Sequence, residues 1–529
     1  MLIIKSQRKR ALGLNEPLRH GSHKKPVTRR DFLAQGFTTG AATVVAPAAV
    51  TAMLNPRRAA ALSPDLEALK PRQFCDIQGG AGRVPFICFD LAGGANIAGS
   101  NVLVGKEGGQ LDFLSTQGYS KQGLPGNMLP NNATTNFVNT EFGLAFHSDS
   151  AFLRGMIEKT SVTTRAFVNG AVIAARSEND TGNNPHNPMY GLAKYGARGE
   201  LLTLIGSQNS ESGGNSMAPA MLIDPAKRPT KVDRASDVTG LVDTGEVATI
   251  LSPADTVKTL ESMYRITDQK MGRVSTRLAT ADDADIEMRF KCSYVKTADT
   301  VETFSDPSAL NPSLDPDITR IFGANFGGDG EFQKTASVMK LVVEGNAGAG
   351  TISMGGFDYH TGDRATGELR DLRAGRCIGA CLEFAASRGK PLMIYVFSDG
   401  SLSSNGMVDD SVNGRGKGQW TGDNQQTAAS FFLVYNPAGR PTLLQDATPA
   451  ARHQQLGYFS ANGDVVTSSS PAANNVNLLV QTVLLNYMAL HDDIDRYNQL
   501  FGSGLGTGTA LRGMVAFNPI AARPTDLII

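Results

Sequence analysis

The stretch Pro391-Leu-Met-Ile-Tyr-Val-Phe397, closed by Ser398-Asp399-Gly400, decides how this chain is read. An unbroken apolar run of this length, bounded by turn residues, is a strand buried on both faces, and such strands belong to parallel sheets covered by helices. Upstream, Leu369, Leu372, Ile378, Cys381, Leu382 and Ala385 recur at helical spacing and predict a helix from about 365 to 387. Helix followed by buried strand is the repeating unit of an α/β sheet.

The same pattern extends outward in both directions. Val84-Pro-Phe-Ile-Cys-Phe-Asp-Leu91 stops at Ala92-Gly93-Gly94 and reads as a second buried strand feeding a tight loop. A helix over 149–159 precedes a strand-like stretch over 165–175, and a polar segment from Ser177 to Pro188 follows. Met339 to Glu344 reads as a strand, Gly345 to Gly350 as a loop, Phe431 to Tyr435 as a further strand and Val476 to Phe501 as one long helix. Residues 207–335 are polar and glycine-rich at first, then an amphipathic helix over 255–269, then without clear period, and read as an insertion. The expected fold is α/β, a mostly parallel sheet sandwiched by helices, in one domain spanning 62–529.

The N-terminal 61 residues are of another kind. They carry eleven Lys and Arg against two acids, with Thr28-Arg29-Arg30-Asp31-Phe32-Leu33, a mildly apolar Ala/Thr/Gly stretch and then Ala59-Ala60-Ala61. That order is expected of a twin-arginine export signal recognised by the twin-arginine translocase, which places the mature protein in the periplasm or outside the cell. Gln35, Gly36, Thr38, Thr39, Gly40 and Pro47 dilute the apolar stretch too far for stable membrane insertion. Without the signal, 39 basic face 48 acidic residues, so the apparent neutrality of the chain belongs to the signal. A net negative charge of this size disfavours nucleic acid as a partner. The five cysteines are too few for a disulfide framework; Cys75 and Cys88 can pair in an oxidising compartment, Cys377 and Cys381 suit one buried helix face, and one must stay unpaired.

Ligands of open parallel α/β sheets bind at the carboxyl ends of the strands. Asp90, Asp358 and Asp399 are all expected there, and His360 lies two residues beyond Asp358. Carboxylates and an imidazole at one sheet edge form a ligand set for a divalent metal. Taken singly, each acid is equally at home capping a loop or helix.

Gly355-Gly-Phe-Asp358-Tyr-His360, the helix after it, Phe397-Ser-Asp399-Gly, Asn405-Gly406 and Gly422-Asp423-Asn424 fall in an order that resembles a large family of twin-arginine-exported bacterial proteins of unassigned function. That family is placed in the alkaline phosphatase and sulfatase superfamily, and Phe89-Asp90-Leu-Ala-Gly-Gly resembles its first acidic glycine loop. The resemblance implies an alkaline-phosphatase-like fold with insertions. It also implies one or two metals held by Asp90, Asp358, His360, Asp399, Asp423 and Asn424, and a small anionic phosphate or sulfate ester as substrate. A Ser or Thr nucleophile is implied as well, for which the polar loop offers Ser177 and Thr181 with His186 nearby. Three departures fall at the chemistry: Asp399 stands where the family has Glu, Phe-Gly-Arg is missing after it, and Asn424 stands where the family has His. They leave open a metal other than zinc, such as calcium or magnesium, a substitute ligand in His453, or a binding or structural protein without turnover.

Overall fold

The computed structural model describes residues 62–70, 75, 82–130, 136–177, 184–243, 250–273, 280–304 and 306–525. The chain divides into two compact units, one of residues 78–243 and 306–529, the other of residues 1–77 and 244–305. Of the 207–335 read as an insertion, 207–243 and 306–335 belong to the larger unit and 244–305 to the smaller. Residues 1–61, where the export signal is expected, and Thr181 lie outside the described residues.

The larger unit is a mixed α/β fold in which helices flank a central sheet. In chain order it contains β1 (Phe86–Leu91), α1 (Ala151–Lys159), β2 (Val168–Ala174), α2 (Met189–Lys194), β3 (Leu202–Gly206), β4 (Thr230–Lys231), α3 (Gly330–Val343), β5 (Ala347–Met354), α4 (Arg364–Ser387) and β6 (Leu392–Ser398). A hairpin of β7 (Leu402–Asp409) and β8 (Lys417–Asp423) follows, then β9 (Ala429–Tyr435), β10 (Gln455–Leu456) and α5 (Val476–Ala489). The eight-stranded sheet runs β10-β2-β9-β6-β1-β5-β3-β4, and β7 pairs with β8 outside it. Strand β9 pairs antiparallel with both its neighbours, β2 and β6, and every other pairing in the sheet is parallel.

Every residue of β1, β5, β6 and β9 is buried, which is why β1, β6 and β9 read as continuous apolar runs. Phe86 and Cys88 of β1 and Met393, Tyr395 and Phe397 of β6 share a core with Leu479, Val480, Val483, Leu484 and Tyr487 of α5. Helix α4 starts at Asp363, whose side chain accepts from the Thr366 amide, and α5 starts at Asn475, which accepts from the Leu478 amide.

Three expectations are corrected. Met339 to Val343 ends helix α3 instead of forming a strand; a short apolar run does not by itself separate a buried helix from a strand. The glycine-rich stretch after it is the start of β5. A Cβ on Gly348 would lie 2.4 Å from the Arg198 amide nitrogen and one on Gly350 2.5 Å from Val338 Cγ1, so these glycines mark close packing and not a loop. The long C-terminal helix ends at Ala489 and is followed by a 3-10 turn, Ile494–Arg496, and a short helix, Tyr497–Phe501.

The smaller unit is helical in its described residues. The helices Pro253–Met271 and Thr280–Thr303 pack with the N-terminal turn around Leu62, Leu66, Val257, Val295, Ala298 and Val301. Cys75 forms its disulfide with Cys292, not with Cys88. Cys88 lies fully buried in β1 and, like Cys377 and Cys381, is a free thiol.

Candidate metal centre

Strands β6, β1 and β5 are adjacent and parallel, so Asp399, Asp90 and Asp358 all arise at one edge of the sheet. The structure does not gather them into one site. It sorts them into a buried pair and an exposed cluster.

Asp90 and Asp399 form the pair, both sealed from solvent. Asp90 accepts from the Asn215 amide at 2.7 Å, the Ser216 amide at 2.7 Å and Ser216 Oγ at 3.1 Å. Asp399 accepts from the Gly93 amide at 2.8 Å and from Asn215 Nδ2 at 3.0 Å. Burial pushes the Asp90 carboxyl up to about 7; the amide of Ser216 works against that and the Asp399 charge adds to it. With their oxygens accepting from the 213–216 turn and the Gly93 loop, these two acids hold loops onto the sheet edge.

Asp358, His360 and Asp423 form the cluster, and one ligand atom from each lies within 4.8 Å of the other two. The first two come from the loop after β5 and the third ends β8. Burial alternates along the loop, with Phe357 and Tyr359 inside and Asp358 and His360 outside, so the two ligands emerge side by side. His360 Nδ1 pairs with Asp358 Oδ1 and lies 3.3 Å from Asp423 Oδ1. Their side chains are 58%, 31% and 50% exposed, so one flank of the cluster faces solvent. Gly93 lets the β1 loop press against this one: at φ +119 it leaves no room for a side chain, since a Cβ would stand 2.7 Å from the Asp358 amide.

Helix α4 supports the cluster from beneath. The Tyr359 hydroxyl donates to Asp371 Oδ1 at 2.9 Å and accepts from the Asn96 amide at 3.3 Å. Asn101 Nδ2 donates to the other Asp371 oxygen at 2.7 Å. Burial, with the nearby Glu368 charge, raises the Asp371 carboxyl to about 7. One turn earlier, Glu368 accepts from Lys417 Nζ of β8 at 2.9 Å, both side chains being almost wholly buried. The Arg364 guanidinium lies 4.6 Å from the ring centre of Trp420, also on β8. Tyr359, Asp371, Asn215 and Ser216 carry no motif of their own. The apolar–polar alternation of Phe357 to His360 is the one signal that marks Tyr359.

The remaining candidates are held or packed elsewhere. Asn424 Oδ1 accepts from the Gln426 amide at 2.9 Å and caps the short turn there. His453 is buried, with one ring nitrogen on the Val515 carbonyl and the other 3.0 Å from Asp446, so it has no nitrogen to offer in place of the missing ligand. Ser177 and His186 are both 3% exposed, and neither the hydroxyl nor either ring nitrogen has a hydrogen-bond partner among the described residues. His186 stacks on Phe397 at 5.7 Å, and burial pushes its imidazole down to about 3. It is therefore neutral near pH 7, and no hydrogen bond joins it to Ser177 as a base to a nucleophile.

Comparison with protein-family models, with curated proteins and with solved structures finds no match to this chain. Among the described residues no helix is long and apolar enough to cross a membrane.

Proposed function

We propose that this is an exported metal-binding protein whose Asp358–His360–Asp423 cluster holds one divalent cation at the edge of an alkaline-phosphatase-like sheet. The observation that carries the reading is the convergence of two carboxylate oxygens and an imidazole nitrogen from separate segments within 4.8 Å. The donor set fits a borderline ion such as zinc or manganese better than calcium or magnesium, which favour all-oxygen shells. Asp358 and Asp423 supply the negative charge, and His360 Nδ1 faces both of them, so a proton on that nitrogen competes with a cation for the same space. The solvent-facing flank leaves the cluster accessible to a small anionic ester. When bound, such an ion supplies Lewis acidity to that ligand, the chemistry of a phosphate- or sulfate-ester hydrolase. Export is supported by the twin-arginine pattern together with the Cys75–Cys292 disulfide, since disulfides persist outside the reducing cytoplasm.

A second reading, a binding or structural protein without turnover, is favoured by one observation: Ser177 is sealed and has no hydrogen-bonded base among the described residues, while Asp90 and Asp399 are occupied with loops. Elemental analysis of the purified protein beside an Asp358→Ala/His360→Ala variant tests the metal. Equal and negligible metal in both sinks the proposal. Assays on aryl phosphate and aryl sulfate esters with added zinc or manganese then separate the two readings, because absence of turnover with metal bound selects the second.

A further inference from the structure

We infer that Tyr359 is a positioning residue of the metal centre, and that its hydroxyl, locked onto the buried Asp371 carboxyl, keeps Asp358 and His360 turned together towards Asp423. The inference rests on the metal reading proposed above. Tyr359 lies between two ligands and makes no ligand contact itself. Its side chain is 2% exposed, its ring lies against Gly367 of α4, where a Cβ would come within 2.8 Å of it, and its hydroxyl sits between Asp371 and the Asn96 amide. The acceptor is fixed in turn: Asn101 Nδ2 bonds both Asp371 and the Asn96 carbonyl, and Asn101 Oδ1 accepts from Ser150 Oγ at 2.8 Å.

The loop has little stiffness of its own, with Gly355, Gly356 and Gly362 around the ligands and the last two at positive φ. Among the described residues, its buried side-chain hydrogen bonds both pass through the Tyr359 hydroxyl. The third ligand is referred to the same helix by a different route, through Glu368–Lys417 and the stacking of Arg364 on Trp420. A backbone bond from the Gly362 amide to the Trp420 carbonyl joins the two segments directly, and one from the Phe357 amide to the Ala92 carbonyl ties the first to the β1 loop; α4 backs both segments, and the hydroxyl is its grip on the first. Partners of this kind, one step removed from a metal, typically change affinity by 10- to 100-fold when lost.

Cobalt(II) titration followed by visible absorption tests this on the full chain. Tyr359→Phe keeps the ring and removes the hydroxyl; we expect at least about 10-fold weaker cobalt binding and altered absorption bands. Asp371→Asn keeps an oxygen for the hydroxyl and should bind more tightly than Asp371→Leu, which keeps none; this pair decides the question if Tyr359→Phe does not fold. Wild-type affinity and spectrum in Tyr359→Phe, or equal binding by the two Asp371 variants, would overturn the positioning role while leaving the metal reading intact. Failure of the wild-type protein to bind cobalt, zinc or manganese would instead overturn the metal reading, and this role with it.

Discussion

Asp90 and Asp358 are both acids at the carboxyl ends of neighbouring parallel strands, and they have opposite fates. Asp90 is sealed from solvent and takes three hydrogen bonds from one turn, whereas the Asp358 side chain is 58% exposed and faces an imidazole. What separates them is the set of donors that arrives from elsewhere in the chain, not the strand-end position. An acid surrounded by amide donors is a fastener; one left with a histidine and a second carboxylate is open to a cation.

Variants can break that contrast. The largest effect is expected from Asp90→Ala, which strands two amides and a hydroxyl in a buried space. Urea unfolding should show a loss of about 4 kcal/mol, and a loss below about 1 kcal/mol would mean that Asp90 is not a fastener. The next largest concerns pH. Asp371 is raised to about 7 in the folded state against an ordinary value of 3.8, so between about pH 4 and pH 7 this carboxyl holds its proton more in the folded protein than in the unfolded one. Its contribution is complete below the lower value and is lost as pH rises through the upper one, by a few kcal/mol. The buried His147, His186 and His491, pushed down mainly by burial, act in the opposite sense, so the quantity to measure is the difference between wild type and Asp371→Asn. That difference should shift against wild type as pH rises, and a pH-independent difference would refute the assignment.

Third, zinc or manganese at one hundred times its dissociation constant should stabilise the wild-type protein by about 2.7 kcal/mol and leave Asp358→Ala/His360→Ala unmoved. Thermal denaturation with and without the ion reads this directly. The smallest effect is that of Asp358→Ala without metal, expected within about 0.5 kcal/mol of wild type because the group is exposed. A large loss there would erase the contrast with Asp90.

Much of the fold was legible. The buried strands around Asp90 and Asp399 and the helix between the two glycine motifs follow from apolar runs and helical spacing, because a parallel sheet buried on both faces leaves that imprint. The fate of each acid was not. The donors to Asp90 come from Asn215 and Ser216, in a polar glycine-rich stretch that reads as an insertion, and nothing local to Asp90 announces them. The close approaches at Gly348 and Gly350 likewise made a strand look like a loop, since a glycine's packing partner is invisible from its neighbours in sequence. The exposed cluster was legible to the extent that Asp358 and His360 sit two apart in one motif, and Asp423 entered only through the resemblance.

The burial of Cys88 bears on which disulfide the folded chain can form. Cys88 is closer in sequence to Cys75 than Cys292 is, so in an extended chain it is the more accessible partner. Once β1 has joined the sheet, Cys88 is fully enclosed and its thiol is held well above the ordinary range, chiefly by burial; Cys377 and Cys381 are enclosed in the same way. An oxidant that meets the chain after that moment finds only Cys75 and Cys292 open to it. The native bond is thus one that can form without reopening the sheet.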